Sequence, residues 1–225
     1  MFNNLLFEQI RTFLNPYHDS IYKDAYKQFG KLRALSTKYN ETPEIASRPW
    51  DKDRDGLVLS EGGALFLLSK TKTEDTIAEI SGYAMNNDAY QPVAPHPDGT
   101  MIEKCMKDAL FYRTPDLINA HATSTPKGDY IEVDAINRLG LEDVWVTANK
   151  SQIGHLMGAA GAIETALSVL SLENDIITPS LNINELEDGY NIKYTPTTIS
   201  HEVNSVLCNS FGFGGTNACI LLSKT

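Results

Sequence analysis

The sequence has few cysteines, a deficit of basic residues and no long hydrophobic run. Its three cysteines, Cys105, Cys208 and Cys219, form no Cys-x-x-Cys pair and are too few for a disulfide scaffold, which favours a reducing compartment. No apolar run approaches the ~20 residues that span a bilayer, so no membrane partner is expected. The 19 basic residues are scattered and outnumbered by 29 acidic ones, which argues against a nucleic-acid surface.

The amino-terminal residues 1–28 have a weakly helical pattern and carry no candidate chemistry. Their apolar residues recur at helical spacing until Asn15-Pro16, where the pattern breaks. Glu8 lies inside the apolar run, and there is no basic region or small-residue cleavage site, which argues against a secretory signal. We therefore predict a cytoplasmic protein.

Residues 41–55 are polar and contain Pro43 and Pro49, which predicts a loop. Within this loop, Asp51–Gly56 alternates acidic residues before a glycine, as a calcium-binding EF-hand loop does. The closing glutamate, Glu61, is one residue too early, however, and basic residues stand between the carboxylates. We therefore predict a solvated, salt-bridged turn without a metal.

The rest of the sequence predicts an α/β fold with helices layered on both faces of a sheet. Leu57–Leu59 and Ala64–Leu68 have the apolar character of buried strands. From residue 77 onward, strand-like and helix-like runs alternate. The predicted strands are Ile77–Ala84, Leu117–Ala120, Val144–Thr147, Val206–Asn209 and Ala218–Leu222, and the predicted helices are Met101–Leu110, Tyr130–Leu139 and Ala159–Leu172.

Two histidines and a lysine lie in turns between strand-like and helix-like runs. His121 follows one predicted strand, Lys150 follows the next, and His155 comes five residues after the lysine. Side chains in such turns can converge, which is how active sites are commonly built. The glycine-rich run at Gly212–Gly215 fits either a plain turn or a place where the backbone approaches a ligand closely.

Together these motifs resemble the C-terminal part of a beta-ketoacyl-acyl-carrier-protein synthase, a condensing enzyme of fatty-acid synthesis with a thiolase-like fold. The resemblance divides the chain into an unmatched segment at 1–28, a remnant of the amino-terminal synthase half at 29–75 and a C-terminal synthase domain at 76–225. The matching runs are Arg33–Thr37, Arg48–Gly56, Ala120–Pro126, Lys150–Gly161 and Asn209–Asn217.

The resemblance implies a decarboxylative Claisen condensation, in which two imidazoles donate hydrogen bonds to a thioester oxygen that gains negative charge. His121 and His155 match these donors, Lys150 matches the lysine that holds them, and Glu132 is its expected carboxylate partner. Asp129 and Glu132 also fit a capping box at a helix start. The residues matching substrate contacts are Thr123 and Thr125 for the phosphopantetheine arm, and Phe211, Phe213 and Gly214 at the acyl pocket.

The resemblance also implies acyl carrier protein as a partner, a homodimer as the assembly, and no cofactor. The family's nucleophilic cysteine precedes the matched region, and the three cysteines present fall at predicted core positions. The chain would then need a partner chain that supplies the cysteine segment. It could be an active half of a synthase, a non-catalytic partner subunit, or a remnant that does not fold alone. A thiolase fits less well, because its late Cys-x-Gly pattern is not found.

Overall fold

The computed structural model describes residues 23–225, so the predicted helix break at Asn15-Pro16 lies outside the described residues. The described chain begins with helix α1 (Lys23–Lys31), which comes after the predicted break at Asn15-Pro16. A short 3-10 turn follows at Pro43–Ile45.

Seven strands form the sheets of the fold: β1 (Ala78–Asn87), β2 (Leu117–Asn119), β3 (Trp145–Thr147), β4 (Ile176–Ile177), β5 (Ile199–Ser200), β6 (Ser205–Phe211) and β7 (Thr216–Lys224). A five-stranded mixed sheet lies at the centre, with strand order β1-β7-β6-β2-β3. Strands β6, β2 and β3 run parallel to one another, and β7 runs antiparallel to both of its neighbours. The short strands β4 and β5 pair with each other.

Four further α-helices connect these strands, and each helix and strand predicted from residue 77 onward is confirmed. The helices are α2 (Thr100–Leu110), α3 (Pro126–Arg138), α4 (Lys150–Ile153) and α5 (Ala160–Asn174), with 3-10 turns at Met157–Ala159 and Phe213–Gly215. The largest difference at a boundary is at the start of α3, which begins at Pro126 rather than at Tyr130.

Alternation along β6 shows why helices cover both faces of the sheet. Val206 and Cys208 pack on one face with Leu172 of α5. Leu207, between them, packs on the other face with Met106 of α2 and Ile136 of α3. Full burial of such a side chain stabilises the fold by about 1.5–3 kcal/mol, so both helix layers are needed. The predicted α/β/α layering is confirmed.

Two predicted buried strands were wrong. Leu57 and Leu59 are buried, but they form only isolated bridges, to Leu35 and His155. Ala64–Leu68 forms no strand, and the side chains of Leu65 and Leu67 are 74% and 94% exposed. A strand needs a neighbour to pair with, and no residue of 23–225 takes that place beside Ala64–Leu68.

The turn at Asp51–Gly56 is salt-bridged, as predicted, but it is exposed only at Lys52 and Asp53. Asp51 and Arg54 are only 1% and 5% exposed. Arg48 Nε lies 3.0 Å from Asp51 Oδ1, and Arg54 Nε lies 3.4 Å from Asp129 Oδ2. Burial alone would raise the pKa of Asp51, but hydrogen bonds from Arg48 and from backbone N–H groups hold that pKa below its usual range.

The described part of the chain holds no group of three His, Cys, Asp or Glu side chains suited to a metal ion. Between residues 23 and 225, no helix has both the length and the apolar character to cross a bilayer.

Candidate active site

The candidate site lies at the carboxyl ends of the three parallel strands. His121 comes two residues after β2, Lys150 comes three residues after β3, and Phe211 is the last residue of β6. Because these strands are parallel neighbours, their carboxyl ends meet at one edge of the sheet, which is where α/β proteins commonly bind ligands.

The structure brings the two predicted histidines together. The ring centroids of His121 and His155 lie 5.5 Å apart, with the ring planes nearly perpendicular at 86°. Phe211 packs on the His121 ring at a centroid distance of 5.8 Å. We call His121 and His155 the histidine pair.

Neighbouring groups fix which nitrogen of each histidine carries the proton. Lys150 Nζ lies 3.4 Å from His121 Nδ1, and an ammonium group can only donate, so this Nδ1 accepts. The Met157 backbone N–H donates to His155 Nδ1 at 3.2 Å. Each neutral ring therefore has its proton on Nε2, so both histidines have an Nε2–H available to donate.

Burial and the charge of Lys150 keep both rings neutral. Burial lowers the pKa of His121 well below its usual range, and the positive charge of Lys150 lowers it further. The same two causes lower the pKa of His155 to about 3. Both imidazoles are consequently uncharged hydrogen-bond donors at neutral pH.

We expect this depressed pKa to make the native protein lose stability on acidification through His155. The unfolded histidine titrates near the ordinary histidine pKa of 6.5, so the unfolded state gains protons below that pH while the folded ring stays neutral down to about 3. The stabilising contribution is therefore complete above 6.5 and is lost as the pH falls toward 3. Urea unfolding of His155→Gln should show a shallower decline over this window than the native protein.

His201→Gln removes an exposed histidine outside the site and provides the matched control for loss of an imidazole. Parallel curves for the native protein and His155→Gln would mean that this ring is not held neutral.

The predicted partner of Lys150 was wrong: the lysine pairs with Glu164 of α5, not with Glu132. Lys150 and Glu164 form a close ion pair and are 1% and 2% exposed. Burial raises the pKa of Glu164 to about 7, and the neighbouring Lys150 opposes that rise. An ion pair this deeply buried holds the lysine head beside His121.

Glu132 instead holds the His121 loop through its backbone. Its carboxylate accepts the backbone N–H groups of His121 at 2.9 Å and Ala122 at 2.8 Å, and the Asn209 side-chain amide at 3.0 Å. Burial raises the pKa of Glu132, and these three hydrogen bonds oppose the rise. Glu132 therefore supports the site by positioning the loop.

The predicted capping box was wrong. Helix α3 begins at Pro126 with Thr125 as its N-cap, and no side chain caps it. Asp129 lies inside the helix and accepts the Trp50 backbone N–H at 3.0 Å. Because both carboxylates of the Asp-x-x-Glu pattern accept hydrogen bonds from residues outside α3, they connect the helix to its surroundings.

Residues 47–54 hold the His121 loop and Lys150 from the other side, a role that the sequence analysis missed. Ser47 Oγ donates to the Lys150 carbonyl at 2.6 Å, and the Arg48 backbone N–H donates to Ser124 Oγ at 3.0 Å. Arg54 Nη2 donates to the Pro126 carbonyl at 2.9 Å. Arg54, one of the basic residues that suggested a solvated turn, is therefore buried and supports the site.

The residues predicted to contact substrate form two groups, one in the loop after His121 and one at the end of β6 and in the turn that follows it. The hydroxyl oxygens of Thr123 and Thr125 lie 3.0 Å apart.

The Phe213 ring is 47% exposed and stacks on Phe29, with ring centroids 5.7 Å apart. Within residues 23–225, the Phe213 backbone N–H donates no hydrogen bond, whereas that of Gly214 donates to the Pro92 carbonyl at 2.7 Å. Gly214 has a φ of 77°, which favours glycine.

All three cysteines are buried core residues, as predicted. Cys208 Sγ lies 3.0 Å from Ser168 Oγ, and burial raises the pKa of its thiol to about 12. Burial likewise raises the pKa of Cys219. Cys105 Sγ donates to the Ala84 carbonyl at 3.4 Å. Since nucleophilic attack requires an accessible thiolate, none of the three suits acyl transfer.

Glu164 and Asn209 were not assigned to the site from the sequence, although the sequence pattern does point to Glu164. Glu164 is the only charged residue in the apolar run Ala159–Leu172, and a lone charge in a buried helix usually has a partner. Asn209, which binds Glu132, lies in a predicted strand and carries no comparable signal.

Comparison with known proteins agrees with this geometry. The family described as "Beta-ketoacyl synthase, C-terminal domain" matches residues 77–184. The chain is 40% identical over 211 residues to "3-oxoacyl-[acyl-carrier-protein] synthase 2" of Vibrio harveyi, a match that covers 87% of this chain and 51% of that protein. It is 44% identical over 208 residues to "3-oxoacyl-[acyl-carrier-protein] synthase 1" of Haemophilus influenzae, covering 88% and 50%.

Solved structures show the same correspondence. A beta-ketoacyl synthase from Burkholderia phymatum matches 92% of this chain and 53% of its own, with a TM-score of 0.81 and 26% identity. A ketosynthase solved in complex with its type II PKS acyl-carrier protein matches 92% and 54%, with a TM-score of 0.82 and 25% identity. The chain spans about half the length of the curated relatives it matches. It therefore has a thiolase-like fold and corresponds to the C-terminal portion of the beta-ketoacyl-acyl-carrier-protein synthases.

Proposed function

We propose that this chain supplies the decarboxylating part of a 3-oxoacyl-acyl-carrier-protein synthase, an acyltransferase of fatty-acid biosynthesis. In this reaction an acyl thioester condenses with malonyl-acyl-carrier protein, which arrives on a phosphopantetheine arm, and no cofactor takes part. The names of the curated relatives support the reaction class. The single observation that carries the proposal is the neutral histidine pair, with an Nε2–H on each ring.

The histidine pair suits a reaction in which negative charge grows on an oxygen. Loss of carbon dioxide from the malonyl thioester breaks a carbon–carbon bond and leaves its electron pair in an enolate. Nε2–H groups of His121 and His155 would donate to the enolate oxygen, and donors fixed in advance stabilise such charge most strongly. The enolate carbon then attacks the acyl thioester and expels a thiolate.

Lys150 prepares the donors without contacting the enolate. Its ammonium group accounts for the acceptor role of His121 Nδ1 and for part of the low pKa of both rings. Glu164 balances the lysine charge, and Glu132 fixes the backbone of the His121 loop. These two carboxylates are positioning groups, and the histidines are the catalytic residues of the proposal.

The substrate arm would lie along the two threonines and the glycine-rich turn. Thr123 and Thr125 would hydrogen-bond the phosphopantetheine, and Phe211 lies against His121 where the acyl chain would end. Phe213 and Gly214 would border the entrance, and the Phe213 backbone N–H, which donates to no group of residues 23–225, would supply a second oxyanion contact.

The acyl-loading cysteine would come from the part of the relatives that this chain does not span. The three thiols in this sequence are buried, which supports an acyl-loading cysteine outside this chain. We propose the same domain boundaries as the sequence analysis, namely 29–75 as the remnant of the amino-terminal half and 76–225 as the C-terminal domain. A cytoplasmic setting and a homodimer are part of the same proposal.

Carbon dioxide release tests the proposed function. The chain, mixed with the unmatched half of the Vibrio harveyi relative and malonyl-acyl-carrier protein, should release carbon dioxide at a rate that His121→Ala lowers roughly 10²–10³-fold, as for other oxyanion donors. Release equal to that of the His121→Ala mixture would refute the proposal.

A non-catalytic partner subunit is the second candidate, and the absence of an accessible thiol favours it. Such a chain would shape the acyl pocket of an active synthase without turnover of its own. Equal condensation rates for complexes containing the native chain and His155→Ala would select this candidate, whereas a lower rate for the variant would select the enzyme.

A further inference from the structure

Two of the three cysteines meet where helix α2 packs on the central sheet. Cys105 lies on α2 and Cys219 on β7, and their side chains belong to the same buried hydrophobic cluster. The Cys219 thiol donates a hydrogen bond to Cys105 Sγ. We call Cys105 and Cys219 the thiol pair. Cys208 lies in a different cluster on the other face of the sheet, with the Ser168 hydroxyl as its neighbour, and is an ordinary core residue.

Contacts with the backbone of β1 place the two sulfur atoms together independently of that hydrogen bond. Cys105 Sγ donates to the Ala84 carbonyl at 3.4 Å, and Ala84 is the residue of β1 that lies directly opposite Cys219 of β7. Opposite residues of an antiparallel pair point to the same face, with Cβ atoms about 4.5–5.5 Å apart. The Cys105 thiol therefore lies over the face of the sheet to which the Cys219 side chain points.

Helix α2 also lies closer to the sheet here than side chains of ordinary size permit. A Cβ atom added at Gly82 of β1 would lie 2.2 Å from the Ala109 carbonyl oxygen, so only glycine fits. Ala109 comes one turn after Cys105, on the same face of α2. A disulfide needs Cα atoms about 4.4–6.8 Å apart, and this close contact between helix and sheet favours such a separation for the thiol pair.

The two thiols differ in acidity, and a small oxidant has a route to them. The hydrogen bond from Cys219 lowers the pKa of Cys105 below its usual value, whereas burial raises the pKa of Cys219 well above it. Cys105 is therefore the thiol that reacts first, and Cys219 stands beside it as the second. Within residues 23–225, β1 has a neighbouring strand on one side only, so α2 and β1 form an edge of the fold where local opening admits an oxidant.

We propose that Cys105 and Cys219 form an oxidation site, which hydroperoxides convert to a reversible disulfide linking α2 to β7. The Cys105 thiolate attacks one peroxide oxygen, the O–O bond breaks, and the departing hydroxide takes up the proton that the thiol released. The Cys219 sulfur then attacks the sulfenic acid sulfur, and its proton leaves with the hydroxyl group as water. Each sulfur loses one electron, and the peroxide is reduced to two waters. Thiols of a reducing compartment restore the pair by exchange.

Mass spectrometry of the folded chain after treatment with hydrogen peroxide tests the site. The free thiols of the native chain should fall from three to one, and digestion without reductant should recover the Cys105 and Cys219 peptides joined, lighter by two hydrogen atoms than their sum. Cys105→Ala and Cys219→Ala should form no crosslink. Cys208→Ala, which removes the buried thiol on the other face of the sheet, is the matched control and should form the same crosslink as the native chain.

Thermal unfolding shows whether the disulfide fits the native packing. A crosslink between distant parts of the chain restricts the unfolded state, so oxidation should raise the midpoint of thermal unfolding by about 5–15 °C. Dithiothreitol should return the midpoint to that of the reduced chain. Because dithiothreitol does not reduce methionine sulfoxide, the other common product of peroxide, this reversal assigns the rise to the disulfide. Cys219→Ala treated in the same way should show no rise.

Several results would overturn the proposal. One is a folded chain that keeps all three free thiols under peroxide treatment that oxidises its methionines. Others are a crosslink that forms only in urea, a crosslink that joins separate chains, or oxygen atoms gained at Cys105 without a crosslink. A midpoint that does not rise on oxidation would mean that the native positions of the two sulfur atoms do not suit a disulfide. Neither thiol takes part in the proposed function, so carbon dioxide release and disulfide formation are tested independently.

Discussion

Lys150→Met is expected to lower the free energy of unfolding by about 3–5 kcal/mol, the usual cost of removing one member of a buried ion pair. Lys150 and Glu164 are almost completely buried, and the lysine is the group that opposes the burial-induced rise in the Glu164 pKa. Without the lysine, Glu164 must either remain charged in a poorly solvated place or take up a proton. Either course destabilises the folded chain at neutral pH.

Urea unfolding at pH 7 measures the effect, and the matched control is Lys104→Met. Lys104 forms an ion pair with Asp108, but its side chain is 58% exposed, so its loss should cost less than about 1 kcal/mol. Lys150→Met combined with Glu164→Gln should recover most of the stability, since no uncompensated charge remains. The defect of Lys150→Met should also shrink at pH 5, where Glu164 is protonated. Equal costs for Lys150→Met and Lys104→Met would contradict the buried pair.

The sequence was sufficient to predict the histidine pair but not the partner of Lys150. His121, Lys150 and His155 lie in turns after neighbouring strands, so alternation of strands and helices alone places them at one sheet edge. The choice between Glu132 and Glu164 depends on how α3 and α5 sit on opposite faces of the sheet, and spacing along the chain carries no such information. The lone charge of Glu164 in an apolar helix was the available clue.

The fold was predicted well where each element pairs within the described chain and poorly where it does not. From Ala78 onward, apolar alternation and glycine-rich turns agree with the sheet that forms. Ala64–Leu68 has equally strong strand character, yet no strand of residues 23–225 lies beside it. Local propensity describes what a segment can do, and pairing decides what it does.

His121→Asn is expected to lower malonyl decarboxylation by the chain and its partner half roughly 10²–10³-fold, whereas His121→Gln should retain about ten times more activity than His121→Asn. The difference follows from which ring nitrogen donates. Counted in bonds from Cβ, the asparagine amide nitrogen matches Nδ1 and the glutamine amide nitrogen matches Nε2. Only glutamine can therefore present an N–H near the place where the structure puts the Nε2–H of His121.

The asparagine variant keeps an oxygen that can accept from Lys150, so its loss of activity isolates the donor role of Nε2 from the support of the lysine. His201→Asn, at an exposed histidine outside the site, controls for loss of imidazole in general and should leave the rate unchanged. Each rate is measured as carbon dioxide released from malonyl-acyl-carrier protein, with folded content verified by unfolding curves. If asparagine and glutamine proved equally inactive while both variants remained folded, donation from Nε2 would lose its support. His121 would then contribute to the site through its size and packing rather than through a hydrogen bond.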